Sequence, residues 1–274
     1  MGIPMTAWYQ INQRLFRKEK AALETAQPGM SLEIRETGFR INRELSLKRE
    51  CAVAAGVFSL KAPGTGVYDY RIAVLPPDNY PASPCIVFCD DPRLPIGNID
   101  RHILSDGQAC LAVPGDLWHR WRPEDGIVGF LDEFVAPFLA WQVYYDAHGC
   151  PPPWGQRAHG LLGITEYYTE VLGIPAESNI TAFIPLIARK NPPQGHETCP
   201  CGSGLRLRHC HIKELREARS RIPWQAAKQD LSAVSRIVGN RNNGNKQPGS
   251  LASIKVSSFA ESRSMSTTVA AGEG

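Results

Sequence analysis

The chain has 274 residues, of which 43% are hydrophobic, and its formal net charge of +3 indicates no particular partner. Its length allows one substantial hydrophobic core with an appendage. The eight cysteines do not have the spacing of a small disulfide-bonded domain, so we expect a reducing, cytoplasmic environment. No signal-peptide pattern is present, and we expect no membrane-spanning segment.

The first part of the chain predicts a helix followed by an antiparallel meander. Residues 7–26 predict an amphipathic helix that ends before Pro28-Gly29, and their apolar positions near helical spacing are Trp8, Ile11, Leu15 and Leu23. Residues 30–48 are ambiguous and partly strand. Clearer strands, separated by short turn-rich spacers, are predicted at residues 51–60, 67–75 and 85–89. We expect their cysteines to be buried core thiols: Cys51, Cys85 and Cys89.

The loop at residues 100–123 contains the candidate nucleophile. Cys110 follows the turn-forming Ser105-Asp106-Gly107 and precedes a polar stretch interrupted by proline and glycine. Only the thiolate reacts, so a reactive cysteine needs partial exposure and a polar or cationic neighbour, and we expect this loop to supply both. His102 lies upstream, and we expect the two downstream tryptophans, Trp118 and Trp121, to pack against the loop.

Helices are predicted after this loop. Residues 126–145 predict a helix that Pro137 kinks or splits. Three consecutive prolines at 151–153 mark a break, and residues 160–172 and 181–189 predict further helical segments. Residues 154–159 either border the cysteine loop or form a packed surface loop, and we favour the surface loop.

A second cysteine cluster follows the linker that begins at residue 191. Cys199, Cys201, Cys210 and His211 supply three thiolates and an imidazole, a ligand set that suits a tetrahedral structural zinc. The intervening glycines, Gly202 and Gly204, allow sharp turns. The segment resembles the SEC-C motif, C-x-C-G-S-G-x5-C-[CH], and all four ligand positions match. Four protein ligands leave no open position for a substrate.

The C-terminal part of the chain is basic. Residues 205–241 contain nine basic and three acidic residues, whereas the residues before 205 carry 18 basic and 22 acidic ones. SEC-C motifs resemble docking modules, so the basic zinc module is expected to bind a protein or nucleic-acid partner or to be simply a solvated surface. Residues 223–238 predict a helix that Gly239-Asn240 ends, and the polar residues 241–274 are expected to be disordered.

The cysteine loop resembles the active-site segment of ubiquitin-conjugating enzymes. Asp106-Gly107, Cys110-Leu111 and Trp121-Arg122-Pro123 match that family's D-G-x-x-C-L and W-x-P elements. Tyr80-Pro81, followed by Pro84 and CIVF, resembles its Y-P-x-x-P-P-x-V-x-F strand. The resemblance covers residues 7–148. It implies an α+β ubiquitin-conjugating-like (UBC-like) domain over residues 1–190, followed by the zinc knuckle at 191–240 and the tail at 241–274.

The resemblance also implies a reaction. Cys110 would form a thioester with the activated C-terminus of a protein and pass it to a lysine amine or to water. His102 stands where the family has an asparagine, and it would donate a hydrogen bond to the oxyanion or act as the base, unless it is a packed structural histidine. No glycine-rich adenylate loop is present, so an activating enzyme is expected to act in trans.

The sequence leaves three interpretations of the function open. Prokaryotic members of this family resemble components of antiphage (CBASS) operons, in which a conjugating protein acts on the C-terminus of a cGAS-like nucleotidyltransferase. A non-catalytic UBC-like scaffold with a docking zinc module is the first alternative. A cysteine hydrolase that pairs Cys110 with His102 or His119 is the second.

Overall fold

The computed structural model describes residues 6–62, 66–154, 160–174 and 179–242, with side chains described up to residue 235. Most of the stretch at 154–159 and of the tail expected to be disordered therefore lies outside the described residues. Two helices, α1 (Trp8–Ile11) and α2 (Gln13–Ala26), precede a sheet of four strands: β1 (Met30–Arg35), β2 (Cys51–Ala62), β3 (Gly66–Leu75) and β4 (Ile86–Cys89). The chain is a mixed α+β structure, as the sequence predicts.

The N-terminal helix is broken where one continuous helix was predicted. Asn12 separates α1 from α2, and its side-chain oxygen accepts a 2.9 Å hydrogen bond from the Leu15 N–H, which caps α2. Trp8 and Leu23 are buried as expected, but Ile11 is 71% exposed because the break turns it away from the core. The helix ends at Ala26, before Pro28-Gly29.

The sheet is an antiparallel meander with strand order β1-β2-β3-β4. Its strands agree with the prediction to within a few residues, and β1 accounts for the start of the ambiguous region. The cysteines of the predicted strands, Cys51, Cys85 and Cys89, are all buried, as predicted. One face of the sheet packs against the N-terminal and central helices and forms the first hydrophobic core.

The central helix changes geometry near Pro137. It consists of α4 (Gly126–Phe130), a π-helical turn (Leu131–Val135) and α5 (Ala136–His148). A π turn lets the chain continue where proline lacks an N–H, so the predicted disturbance takes this form. The continuous stretch Pro123–His148 is long and apolar enough to cross a membrane, contrary to our expectation that no run would be, but 56% of its apolar window is buried in the protein. It is a core helix.

Four helices form a second hydrophobic core: α6 (Gly160–Leu172), α7 (Ile184–Ala188), α8 (Ile212–Arg221) and α9 (Trp224–Asn242). This core combines residues on both sides of the linker expected at residue 191, because Cys199 and Leu207 are buried in it together with Ile164 and Phe183. The helix α8 was not predicted. The expected end of α9 at Gly239-Asn240 was wrong, because the helix continues to Asn242.

Candidate active site and metal centre

Cys110 ends a short hairpin that is attached to the sheet. Ile103 and Ala109 form an antiparallel bridge, and the Cys110 N–H donates a 2.8 Å hydrogen bond to the carbonyl of His102. The Ala109 N–H donates to the carbonyl of Val87 in β4 at 2.8 Å. The backbone therefore places Cys110 and His102 opposite each other at the base of one hairpin.

Asn42 holds the turn of this hairpin from the opposite side. Its buried amide Nδ2 donates to the carbonyls of Cys89 (3.2 Å) and Asp106 (3.0 Å). Gly107 has φ of +84°, and a Cβ there would lie 2.3 Å from Nδ2 of Asn42. The D-G pair of the sequence thus meets both a backbone and a packing requirement. Sequence reasoning missed Asn42, because its partners are distant in the chain.

The thiol of Cys110 is accessible but not activated at rest. The residue is exposed, while the protein atoms that crowd its sulfur raise the pKa of the Cys110 thiol. The exposure of the residue decides whether a partner can reach Cys110. The crowding around the sulfur decides whether the thiol is protonated, so the two observations do not conflict. Among the described residues, no charged side chain acts on this pKa, so burial is left to favour the protonated thiol.

His102 occupies an unusual backbone conformation for a residue with a side chain. It ends a short 3-10 turn (Ile99–Arg101) with φ of +56° and ψ of +35°, in the left-handed region. Histidine and asparagine are among the residues enriched there. The imidazole lies edge-on against Trp141, with 5.8 Å between the ring centroids. The conformation at this position is therefore one that both histidine and asparagine tolerate.

The neighbouring Arg101 attaches this turn to α5. Its Nε donates to Oε1 of Gln142 at 2.8 Å, and Nε2 of Gln142 donates back to the Arg101 carbonyl at 2.9 Å. Arg101 also forms a 2.7 Å ion pair with Asp146. Because Arg101 and Gln142 are buried, these paired bonds restrict the backbone that carries His102.

Both candidate residues line one cleft of about 680 Å³. Phe138 and Trp141 of α5 form one side of the cleft, and Ala233 of α9 lies on the side of the second core. Its volume lies in the range of ligand sites. His119 of α3 (Pro114–Arg120) is not among the described residues that line it.

The two tryptophans after the cysteine pack as predicted, but in different cores. Trp121 is buried in the first core, and its Nε1 donates to the carbonyl of Pro81 at 2.9 Å. Its ring also lies 6.2 Å from that of Tyr80. The Tyr80-Pro81 and Trp121-Arg122-Pro123 elements therefore meet in space. Trp118 packs against the second core.

The four predicted metal ligands converge. Their donor atoms, from Cys199, Cys201, Cys210 and His211, all lie within 4.8 Å of one another. His211 Nδ1 lies 3.2 Å from the sulfurs of both Cys199 and Cys210, and the sulfurs of Cys201 and Cys210 are 3.5 Å apart. Tetrahedral coordination with metal–ligand distances of about 2.0–2.3 Å requires similar separations. The three cysteines and the histidine therefore fit a four-coordinate metal.

The backbone and the second core hold these ligands. Gly202 and Gly204 have φ of +86° and +74°. These left-handed conformations turn the chain just after Cys199 and Cys201. The Cys199 N–H donates to the carbonyl of Leu205 at 2.8 Å. The His211 ring packs edge-on against Phe183, 5.6 Å between centroids. The metal site is thus continuous with the second core.

The thiol pKa values differ across the site. Hydrogen bonds from the Ser203 side chain and backbone lower the pKa of Cys201 to about 6, whereas burial raises the pKa of Cys199 to about 12. Buried thiols of this kind become thiolates only when a cation compensates their charge. The donor set therefore suits a cation, and without one Cys199 stays protonated.

Part of the basic charge near this site is used within the protein. The guanidinium of Arg219 donates to the carbonyls of Ile187 and Arg189, both at 2.7 Å, and so satisfies the end of α7. Arg221 pairs with Glu217 at 2.6 Å. Basic side chains that stay exposed around the metal site are Arg206, Arg208, Lys213 and Arg216.

Comparison with known proteins places the four candidate ligands within a sequence motif. The SEC-C motif matches residues 197–213, which include all four candidate ligands. Comparison with curated proteins gave no match. Among solved structures, the chain is similar to the yeast vps23 UEV domain, crystallised in complex with a vps27 PSDP peptide, with 16% identity, a TM-score of 0.35, and coverage of 56% of this chain and 88% of that one. The chain therefore contains a SEC-C motif, and the ligand cluster predicted from the sequence lies within it.

Proposed function

We propose that this protein is a ubiquitin-conjugating-like acyl carrier whose nucleophile is Cys110. The observation that carries the proposal is the placement of an exposed Cys110 and of His102 on one cleft, opposite each other in a hairpin. The Cys110 sulfur attacks the carbonyl of a protein C-terminus held as a thioester by an activating enzyme. A new S–C bond forms, the donor's S–C bond breaks, and the donor sulfur leaves and takes up the proton.

The second step transfers the acyl group. A lysine amine or water attacks the carbonyl carbon of the Cys110 thioester, the new bond to nitrogen or oxygen forms, the S–C bond breaks, and the Cys110 sulfur leaves and takes up the proton that the nucleophile loses. Each step passes through a tetrahedral oxyanion that needs a hydrogen-bond donor. His102, held by its backbone hydrogen bond to Cys110 and by the neighbouring Arg101, is the residue proposed to donate it.

A UBC-like fold over residues 1–190 is part of this proposal. Its support is the meeting of separate sequence elements: Trp121 reaches the carbonyl of Pro81, and the D-G turn lies in the Cys110 hairpin. We assign the SEC-C site at 191–240 to structural zinc, since three thiolates and one imidazole are ligands that zinc prefers. Zinc there would hold its short segment to the second core.

The cellular setting that we propose comes from the family resemblance. The activating enzyme acts in trans in the cytoplasm, and the conjugated C-terminus belongs to another protein, with a cGAS-like nucleotidyltransferase of an antiphage (CBASS) operon as the candidate. The exposed basic side chains near the zinc site, such as Arg206 and Lys213, are suited to an acidic protein or nucleic-acid partner.

A non-catalytic scaffold is the second candidate function. The observation that favours it is the raised pKa of the Cys110 thiol: burial causes the rise, and no cationic side chain among the described residues offsets it. A cysteine hydrolase that pairs Cys110 with His102 is a third candidate, since both residues line the cleft, whereas the pairing with His119 is less well supported because His119 is not among the described residues of the cleft.

Intact mass after co-expression with neighbouring genes tests the proposal. The wild-type chain is expected to gain the mass of a protein adduct that a thiol reductant removes, and Cys110→Ala is expected to gain none. Cys150 is also exposed, so Cys150→Ala is the matched control and keeps the adduct. A scaffold gives no adduct and binds its partner equally well without Cys110.

A further inference from the structure

A buried acid of α9 contacts the helix that follows the cysteine loop. Asp230 is 0% exposed. Its Oδ2 accepts a 3.0 Å hydrogen bond from the backbone N–H of Gly115 and a 2.9 Å hydrogen bond from the hydroxyl of Tyr168. Gly115 lies in the first turn of α3, where N–H groups have no partner within the helix. A residue 115 positions away thus caps the helix that follows Cys110.

The contact leaves no room for adjustment. A Cβ on Gly115 would lie 2.7 Å from a ring carbon of Tyr167 and 2.9 Å from Oδ2 of Asp230. Contacts this short force neighbouring atoms to move. The glycine therefore allows α9 and the start of α3 to approach closely, and the hydrogen bond sets their separation.

The segment between Cys110 and Gly115 connects the two cores. Leu111 packs against the first core and Val113 against the second. Cys110, Val113 and Ala233, which follows Asp230 by three residues on α9, line the same cleft. Displacement of Gly115 from α9 therefore changes both the surroundings of the Cys110 sulfur and the width of the cleft.

The contacts of Asp230 use its Oδ2 oxygen and do not require its negative charge. Among the described residues, no hydrogen-bond partner reaches the second oxygen, Oδ1, of Asp230. Burial raises the pKa of Asp230 to about 7, so the ionised form is held at a cost. An asparagine would make the same two contacts through its oxygen without the charge.

We propose that Asp230 is a positioning residue for Cys110: through Gly115 it holds the segment that carries the thiol against the second core. The position of the Cys110 thiol does not depend on the proposed conjugation. An effect of Asp230 on the rate of thioester formation would rest on that proposed function. Loss of the contact loosens residues 110–115 and relieves the crowding that raises the pKa of the thiol.

The test compares cysteines within one chain. Wild type, Asp230→Ala and Asp230→Asn are treated briefly with iodoacetamide at pH 7, and alkylation is measured for each cysteine by mass spectrometry. The exposed Cys150 is the internal reference, and the buried Cys85 and Cys89 report unfolding. The exposed neighbour Gln229→Ala is the matched control on α9.

Asp230→Ala is expected to raise the Cys110/Cys150 ratio, by about tenfold for each unit that the thiol pKa falls. Asp230→Asn and Gln229→Ala are expected to keep the wild-type ratio. An unchanged ratio in Asp230→Ala, with Cys85 and Cys89 unreacted, overturns the proposal. If these two react, or if Cys199 of the second core reacts, Tyr168→Phe decides, because it removes one hydrogen bond at Asp230 and keeps the ring; an unchanged ratio there also overturns the proposal.

The same variants separate this inference from the proposed function. A shifted ratio in a chain that forms no adduct with an activating partner supports the positioning role and contradicts conjugation. An adduct on the wild-type chain with an unshifted ratio supports conjugation and contradicts the role of Asp230.

Discussion

The N–H of Cys110 and the carbonyl of His102 are joined by a 2.8 Å hydrogen bond, so the candidate nucleophile and its candidate assistant face each other across one hairpin. This bond involves only backbone atoms. A substitution of the His102 side chain therefore leaves the Cys110 backbone in place, provided that the new residue tolerates φ of +56°. The chemical role of the imidazole is separable from the geometry.

The first prediction concerns His102. His102→Ala is expected to slow thioester formation by about 100-fold if the imidazole supplies one oxyanion donor. His102→Asn is expected to retain most of the rate, because the amide donates and asparagine tolerates the left-handed conformation. His102→Gly is the backbone control, since glycine adopts this conformation readily and offers no donor. Equal single-turnover rates for all four chains would assign His102 to packing alone.

The second prediction concerns the reactivity of Cys110. Because the pKa of its thiol is raised, the thiolate fraction at pH 7 is below that of a free thiol, whose pKa is about 8.5. Alkylation of Cys110 should rise about tenfold per pH unit through pH 8 and remain slower than that of a cysteine in an unstructured peptide at pH 7. Site-resolved mass spectrometry measures this. A plateau below pH 7 would instead indicate an activated thiolate.

The third prediction is a pH-dependent stability. Burial raises the pKa of Asp230 to about 7 in the folded protein against about 3.9 when unfolded, and the groups that also act on it are the Tyr168 hydroxyl, the Gly115 N–H and Asp116. The folded state holds this proton more tightly, so the contribution of Asp230 to stability falls as pH rises from about 4 to 7 and does not change further above pH 7. Asp230→Asn cannot ionise at this position and should not show this loss of stability.

The size of this effect follows from linkage. A difference of about three pKa units corresponds to an upper limit of about 4 kcal/mol. Urea unfolding should show Asp230→Asn gaining stability relative to wild type between pH 5 and pH 8. The same difference at both pH values would mean that Asp230 does not titrate in this range.

The fourth prediction concerns the metal. Purified protein should contain one zinc per chain, and Cys199→Ser or Cys201→Ser should lose it, whereas Cys150→Ser should not. Because Cys199 is buried in the second core, metal loss should also lower the melting temperature of that core, beyond local unfolding of the knuckle. Metal analysis and thermal unfolding with a chelator measure both effects. Protein without stoichiometric metal refutes the site.

Local patterns predicted much of this structure. Residues 67–75 and 85–89 are apolar runs bounded by turn residues, a pattern that predicts strands. The structure has β3 and β4 at these positions. The ligand spacing from Cys199 to His211 predicted a cluster that converges within 4.8 Å. Such features depend on neighbours in the sequence, and no knowledge of tertiary contacts is needed to find them.

Features that depend on distant contacts were missed. Asp230 lies within an otherwise ordinary amphipathic helix, and only folding brings it to Gly115. Asn42 belongs to a segment without a clear period, yet it holds the Cys110 hairpin. The predicted end of α9 at Gly239 was wrong for a related reason. A glycine weakens a helix by only about 1 kcal/mol, which the rest of the helix offsets.

The mass of a Cys110→Lys chain produced with an activating partner shows whether residue 110 accepts an acyl group. A lysine at this position forms an amide, which thiols do not cleave, whereas the wild-type thioester is cleaved by them. We expect a reductant-resistant adduct that maps to residue 110 in Cys110→Lys and a reductant-sensitive adduct in wild type. If a functional activating partner gives neither adduct, Cys110 is not an acyl carrier.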